Sequence, residues 1–261
     1  MSESISQRHV AYEFIRSRIS EGKLSPGERV SDFVLAKEIG VSRTPVREAI
    51  TQLASEGLIE HIPQFGSFVK KLSRQELAEL FDLREMLESY ATKAAAERIS
   101  PVVVKKLKLL CDEMLLLIDQ LKSSGADDLY GEILRQQVKD DLTFHLLILR
   151  NSRCSHVLRV VSDLRILTNL FLLKRREPSL DAVAHLKNVH REHCGVVEAL
   201  QNGDGELAAD IMGRHLRRAK EVALDYFDAH VDETLLSDSE ERGMPIEEVS
   251  RKIKQYRKAD K

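Results

Sequence analysis

Hydrophobic residues recur at three- and four-residue intervals along most of the chain, and this period predicts helices. Near the N-terminus it marks short helices over 10–19 and 31–39 and a third that begins after Ser42. Ser42 is of the type that caps a helix, and Pro45 falls in the first turn, where a missing N–H costs little. The chain therefore begins with three closely connected helices.

Two short β-prone runs follow the third helix, at 58–62 and 67–71, separated by Pro63-Gln64-Phe65-Gly66. Proline and glycine at such a joint favour a turn, so the sequence predicts a hairpin with Gly66 at its tip. Three helices followed by a two-stranded wing form a winged helix-turn-helix. In that motif the third of these helices enters a DNA groove.

The polar face of the third helix carries candidate DNA contacts. Arg43 and Arg47 lie one turn apart near its N-terminal end, beside Ser42 and Thr44. Residues 1–72 carry ten Lys and Arg against nine Asp and Glu. With so little excess charge, DNA binding depends on where the cations lie, and a dimer would double the phosphate contacts.

From Leu72 onward the pattern changes to long helices with almost no strand signal. Ser73 and Glu76 form a capping box that opens the first of them, and breaks near residues 100, 125, 152, 178 and 204 separate six helical segments. The predicted fold class is mainly α, with an antiparallel bundle of six or seven helices. The predicted domains are a winged helix-turn-helix at 1–72, a helical domain at 73–230 and a charged extension at 231–261.

One carboxylate and three imidazoles have the spacing of a metal site inside this bundle. Asp141 and His145 are four residues apart, so both lie on one face of a helix. His193 and His215 are equally far from Asp204, at the centre of a helical hairpin, and so lie at nearly equal height. These four suit a divalent transition metal, and the nitrogen-rich set favours Zn²⁺ or Ni²⁺ without deciding between them.

The first 72 residues resemble the DNA-binding domain of GntR-family bacterial transcription regulators. The resemblance is carried by Leu24-Ser-Pro-Gly-Glu-Arg29, Gly40-Val-Ser-Arg-Thr-Pro-Val-Arg-Glu-Ala49, Glu56-Gly57-Leu58 and Gly66. It implies that Arg43 and Arg47 reach base edges or nearby phosphates. It also implies that Ser42 and Thr44 hold the DNA backbone and that Gly66 brings the wing against the minor groove. Some relatives carry a further arginine where this chain has Phe33, and no DNA contact is assigned there.

Residues 75–228 resemble the FCD effector-binding domain of the FadR-type branch of that family. The matching residues are Asp141-Leu-Thr-Phe-His145, Glu192-His193 and His215-Leu216. The resemblance implies that Asp141, His145, His193 and His215 are metal ligands, with a small organic acid at the open positions. It also places Arg84 in the effector pocket, although an ion pair with Glu88 is the alternative. Arg165 and Asn169, four residues apart, are further pocket candidates, with polar surface as their alternative.

The resulting hypothesis is a transcription regulator, a repressor, whose binding to double-stranded operator DNA is controlled by a small carboxylate at the metal site. Two copies would form a homodimer through their helical domains. The alternatives are a metal-dependent hydrolase that uses the same His₃Asp site to activate water, a metal sensor, and a protein whose metal is purely structural. Against the hydrolase, the sequence has no nucleophile motif, and the winged domain would be unexplained.

Composition narrows the class of protein further. Its net charge of −2 excludes a generally basic protein that coats nucleic acid, and 43% hydrophobic residues in 261 allow two cores. The three cysteines are widely spaced, without a CxxC pair, which predicts a reduced cytoplasmic protein. No signal peptide is recognisable, and no apolar run approaches the ~18 residues of a membrane span.

Overall fold

The computed structural model describes residues 6–124, 131–173 and 182–241. Residues 6–72, called the head, contain three helices and a two-stranded antiparallel sheet. The elements are α1 (Gln7–Ser20), α2 (Asp32–Ile39), α3 (Arg43–Ser55), β1 (Ile59–Ile62) and β2 (Gly66–Val69). This order confirms the predicted winged helix-turn-helix.

Local signals explain where α2 and α3 begin and end. The Ser31 hydroxyl accepts a hydrogen bond from the N–H of Val34, and Gly40 ends α2 in the left-handed conformation, with φ 77°. Ser42 immediately precedes α3, but its side chain makes no capping hydrogen bond. Ser42 therefore occupies the predicted N-cap position of α3, but its hydroxyl makes no capping hydrogen bond and stays at an exposed helix end.

The wing differs from the prediction in its turn. Ile59 pairs with Val69 and Ile62 with Gly66, so Gly66 is the first residue of β2. The left-handed residue of the turn is Gln64, with φ 67°. The prediction that Gly66 forms the tip is wrong because strand pairing extends as far as Gly66. With φ 115°, Gly66 still has a backbone conformation that favours glycine.

The rest of the described chain forms six long helices, called the bundle. They are α4 (Arg74–Ala96), α5 (Pro101–Ser124), α6 (Gly131–Asn151), α7 (Ser155–Leu173), α8 (Ala182–Gln201) and α9 (Gly205–Glu241). The capping box that opens α4 is confirmed. Helix α9 continues past the predicted boundary at residue 230, so the predicted extension begins as part of this helix. Its remainder, 242–261, lies outside the described residues.

The head packs directly against α7 of the bundle. Ile166 and Leu167 of α7 share a buried cluster with the apolar face of α1, and Arg16 forms an ion pair with Asp163 at 2.8 Å. Ala11, Ile15 and Ile19 are the fully buried α1 residues in that cluster. The connection between head and bundle is therefore a packed contact as well as a linker. None of the helices in the described ranges is long and apolar enough to cross a membrane.

Candidate metal centre

Four side chains from three helices converge in the interior of the bundle. Helix α6 supplies Asp141 and His145, α8 supplies His193 and α9 supplies His215, and one ligand atom of each lies within 4.8 Å of the others. The Nε2 atoms of His193, His145 and His215 lie 3.5, 3.7 and 4.0 Å from Oδ1 of Asp141. The structure thus brings together all four residues that the sequence proposed as ligands.

Burial and missing hydrogen bonds make this cluster unusual for a structural core. The side chain of His145 is fully buried, and that of His193 is 2% exposed. Nε2 of each of these two histidines is buried without a hydrogen-bond partner among the described residues. An unpaired buried polar atom costs roughly 1–3 kcal/mol. A metal ion would satisfy both nitrogen atoms, so the donor set fits one.

Two glutamates fix the orientation of the imidazole rings. Nδ1 of His145 lies 2.5 Å from Oε2 of Glu88, and Nδ1 of His215 lies 2.9 Å from Oε2 of Glu192. An ionised carboxylate only accepts hydrogen bonds, so each Nδ1 carries the proton and donates it. Each Nε2 then keeps its lone pair toward the centre, the arrangement found around metal-bound histidines.

The third imidazole, that of His193, is held by an aromatic ring. It stacks on Phe144 with a centroid distance of 3.9 Å and an interplanar angle of 2°. Phe144 directly precedes His145 on α6, so one turn of α6 both contributes a candidate ligand and supports another. Stacking therefore fixes the plane of the His193 ring, as the glutamates fix the orientation of the other two rings.

Two buried arginines balance the carboxylates of the centre. Arg165 is fully buried; it donates to Oε2 of Glu88 at 3.0 Å and to Oδ2 of Asp141. Because Oδ2 of Asp141 is bound to Arg165, Oδ1 is left to face the imidazoles. Arg84 donates from Nε to Oε1 of Glu88 at 2.8 Å and from Nη1 to Thr168 at 3.1 Å. Two cations and two anions thus form one buried network.

These contacts set the protonation states that metal ligands require. Burial alone would raise the pKa of Asp141, but Arg165 and His145 outweigh it and hold that pKa well below its usual range. Burial and the neighbouring His215 lower the pKa of His193 well below its usual range, and burial also lowers that of His215. Near neutral pH the carboxylate is ionised and these two imidazoles are neutral, the forms that bind metal.

The effector-pocket candidates are all interior residues. Arg84 makes the ion pair with Glu88 that was its alternative. Arg165 is fully buried and Asn169 is 7% exposed, so the polar-surface alternative for this pair is wrong. Glu88 and Glu192 were not predicted to orient ligands. Each lies far along the chain from the histidine that it orients, 23 positions for Glu192 and 57 for Glu88, so spacing along a single helix gives no signal for either contact.

The DNA-binding candidates lie together at the N-terminal end of α3. Ser42, Arg43, Thr44 and Arg47 are all exposed. Both arginines bind the carboxylate of Asp32, a contact between α2 and α3 that was not predicted from the sequence. Gly66 lies on the wing, and a Cβ added there would meet Arg29 Nε at 3.4 Å.

Comparison with known proteins supplies matches to both parts of the chain. Residues 7–69 match the bacterial regulatory proteins of the gntR family, and residues 79–218 match the FCD domain. The chain is 30% identical over 212 residues to an HTH-type transcriptional regulator in an unstable DNA locus of Streptomyces ambofaciens, covering 81% of this chain and 83% of that protein.

Two further relatives extend the comparison. The HTH-type transcriptional repressor RspR of Escherichia coli is 27% identical over 210 residues, which cover 80% of this chain and 86% of that protein. The solved structure of E. coli McbR/YncC superposes with a TM-score of 0.72 at 21% identity and covers 85% of this chain and 99% of that one. At that identity the superposition establishes a shared fold and nothing about ligands.

Proposed function

The chain belongs to the GntR family of bacterial regulatory proteins and carries their FCD domain, and from this premise we propose that it is a ligand-controlled repressor. Its named relatives are transcription regulators, which confirms the expectation of a regulator rather than an enzyme. In the proposal, a small carboxylate bound at a metal ion in the bundle controls operator binding by the head. The observation that carries it is the pair of buried, unpartnered Nε2 atoms in the His₃Asp cluster.

The proposed ligands are Oδ1 of Asp141 and the Nε2 atoms of His145, His193 and His215. Glu88 and Glu192 hold two of the rings, and Arg165 holds the other oxygen of Asp141. The ion, when bound, supplies open coordination positions for a carboxylate oxygen of the effector. Zn²⁺ and Ni²⁺ are the proposed metals because the site offers mainly nitrogen ligands.

Arg84, Arg165 and Asn169 are proposed to form one wall of the effector site. Both guanidiniums are already bound to Glu88, and Arg165 is also bound to Asp141. An incoming carboxylate would therefore share these donors rather than meet a free cation. Since charge in the wall is already balanced, we infer that the metal rather than either arginine supplies most of the attraction for the effector.

Helix α7 is proposed to carry the signal to the head. Arg165 and Asn169 belong to this helix, and so do Asp163, Ile166 and Leu167, which contact the head. An effector that binds two arrangements of α7 with different affinity would shift the population between DNA-competent and DNA-incompetent states. The contact between Arg16 and Asp163 lies within one helical turn of Arg165, so a small displacement of α7 would reach it.

On DNA, the proposed reader is the N-terminal end of α3. Arg43 and Arg47 would contact base edges, Ser42 and Thr44 the DNA backbone, and Gly66 would bring the wing to the minor groove. We propose functional domains at 1–72 and 73–230, with 231–261 as an extension of unassigned role. Pairing of two bundles would place two α3 helices on a near-palindromic operator.

Anisotropy titration of the DNA upstream of the chain's own gene tests the proposal. It is run at one stated salt concentration, against a panel of small carboxylic acids, with and without a chelator. We expect selective binding that one acid changes, and we expect chelation to abolish the effect of that acid. A response to metal with no acid present would instead support a metal sensor. Absence of selective binding would contradict the proposed DNA contacts.

Matched histidine variants test the site itself. His193→Ala should lose bound metal and the response to the acid, because it removes one of four ligands. His190→Ala, one turn earlier on α8, is the control because His190 contacts Cys194 rather than the cluster. If His193→Ala retains metal at the level of His190→Ala, the ligand assignment is wrong.

A further inference from the structure

The recognition helix presents its two arginines already bound to one carboxylate. Asp32 is the first residue of α2, and its side chain reaches the N-terminal end of α3. Oδ1 accepts from Nη2 of Arg43 at 3.0 Å, and Oδ2 accepts from Nε of Arg47 at 2.5 Å. The Asp32 side chain is 20% exposed, against 52% and 64% for the two arginines. The carboxylate is therefore the covered partner and the guanidiniums are the accessible ones.

We propose that Asp32 is a positioning residue for sequence recognition, which holds Arg43 and Arg47 as one ordered pair in front of the DNA bases. This proposal rests on the DNA-contacting role proposed above for the two arginines. Asp32 itself need not touch DNA. Its role is to fix the distance and orientation between two guanidiniums that come from successive turns of α3.

The cost of ordering explains why such a residue raises selectivity. An arginine side chain carries about 2 kcal/mol of rotamer entropy, which an unsupported side chain loses when it forks a base. A carboxylate that already holds the guanidinium removes part of that loss before DNA arrives. Correct base contacts require the ordered geometry, whereas phosphate contacts tolerate many geometries. Ordering therefore favours the correct sequence over others.

The two arginines are held differently, and this predicts unequal roles. Arg47 donates to Asp32 through Nε, which leaves its two terminal nitrogen atoms for the O6 and N7 acceptors of a guanine. Arg43 donates through both Nε, at 3.3 Å, and Nη2, at 3.0 Å. Arg43 thus keeps one terminal nitrogen without a bond to Asp32. We infer that Arg47 discriminates between bases more strongly than Arg43.

The opposite explanation is that Asp32 merely masks the arginines. Burial alone would raise the pKa of Asp32, but hydrogen bonds from Arg43 and Arg47 outweigh it and lower the pKa, so the group is ionised near neutral pH. A negative charge near the phosphates weakens binding to every DNA sequence. A mask would therefore lower selective and non-selective affinity together. A positioning residue raises the ratio between them.

The test measures that ratio. A duplex is enriched from a randomised library with the unmodified full chain, and a shuffled duplex of equal composition serves as the non-selective probe. Affinities for both are measured by anisotropy at one salt concentration for Asp32→Asn and Asp32→Glu. Glu48→Gln is the matched control, since it removes one negative charge from the exposed face of α3 and Glu48 forms no ion pair with any described residue. Circular dichroism checks that each variant keeps its helix content.

We expect Asp32→Asn to lower the selectivity ratio about tenfold, the scale of one base contact, with unchanged or tighter binding to the shuffled duplex. Asp32→Glu should recover part of the ratio because the carboxylate is retained, and Glu48→Gln should leave it unchanged. Equal strengthening on both duplexes with Asp32→Asn, or an unchanged ratio, would overturn the proposal. Arg47→Ala separates the two levels of inference: if it leaves the ratio intact, the DNA-contact assignment itself is wrong.

Discussion

The head and the bundle each contain an arginine–carboxylate cluster, and the two differ chiefly in burial. In the head, Asp32 binds Arg43 and Arg47, whose side chains remain more than half exposed. In the bundle, Glu88 and Asp141 bind Arg165, which is fully buried. The chemical groups are the same in both clusters.

Burial changes what such a cluster can do. An exposed ion pair contributes roughly 0–1 kcal/mol, and its guanidiniums keep N–H groups that face water and can meet another partner while the pair stays formed. A buried pair has lost its water, and removal of one partner leaves a charge with no compensation. The exposed cluster therefore suits a surface that meets DNA, and the buried one suits a frame that holds ligand atoms still.

The largest expected effect is loss of the buried network. Glu88→Gln removes the carboxylate that Arg84, Arg165 and His145 share, and we expect it to destabilise the bundle by about 3–5 kcal/mol. Asp32→Asn is the exposed counterpart and should cost less than about 1 kcal/mol. Urea unfolding of the full chain, followed by circular dichroism, measures both. Similar small changes in the two variants would contradict the distinction drawn from burial.

The second largest expected difference between head and bundle is in their response to removal of the proposed metal. At a free metal concentration one hundred times its dissociation constant, binding stabilises the folded state by about 2.7 kcal/mol. A chelator should remove that stabilisation and accelerate hydrogen exchange in α6 and α8, which carry Asp141, His145 and His193. The helices of the head provide the internal control and should change little. Equal acceleration in α2 and α3 would show that the centre does not act locally.

A small, pH-dependent effect is expected at Glu76, where head and bundle join and the side chain is 40% exposed. Burial would raise the pKa of Glu76, but Lys70 and Ser73 outweigh it and lower the pKa to about 2 from 4.5. Because the folded pKa is the lower one, the stabilisation is present above pH 4.5 and is lost as pH falls toward 2. Because the side chain is partly exposed, solvent screening weakens its ion pair with Lys70. We therefore expect the carboxylate to contribute about 1 kcal/mol to stability, the usual size of a helix cap.

Urea unfolding at pH 7, 5 and 3 checks this window. Glu76→Gln should be less stable than the unmodified chain at pH 7 and 5, and the difference should shrink at pH 3. Glu79→Gln, with an exposed carboxylate one turn later on α4, is the control for a general charge effect. A difference that stays constant from pH 7 to pH 3 would mean that the carboxylate charge of Glu76 is unimportant.

Much of the architecture followed from local sequence signals. These signals act within one or two helical turns, so the helices that they predict do not depend on contacts with distant parts of the chain. They are the hydrophobic period, Gly40, Pro45 and the Ser73–Glu76 capping box. The four candidate ligands were also accessible, because Asp141 and His145 share a helix face and the hairpin around Asp204 sets His193 opposite His215. These relations depend on the geometry of single helices and one turn.

Contacts between distant elements were decided only by the tertiary structure. Glu88 meets His145 across 57 positions and Arg165 across 77, and Asp32 meets Arg47 from another helix. A sequence shows that these side chains are charged, but packing determines which charges meet and how much water remains around them. That is why the helices and the candidate ligands could be predicted from the chain alone. The carboxylates that orient those ligands, and the carboxylate of Asp32 that binds Arg43 and Arg47, could not, because these contacts depend on how the helices pack.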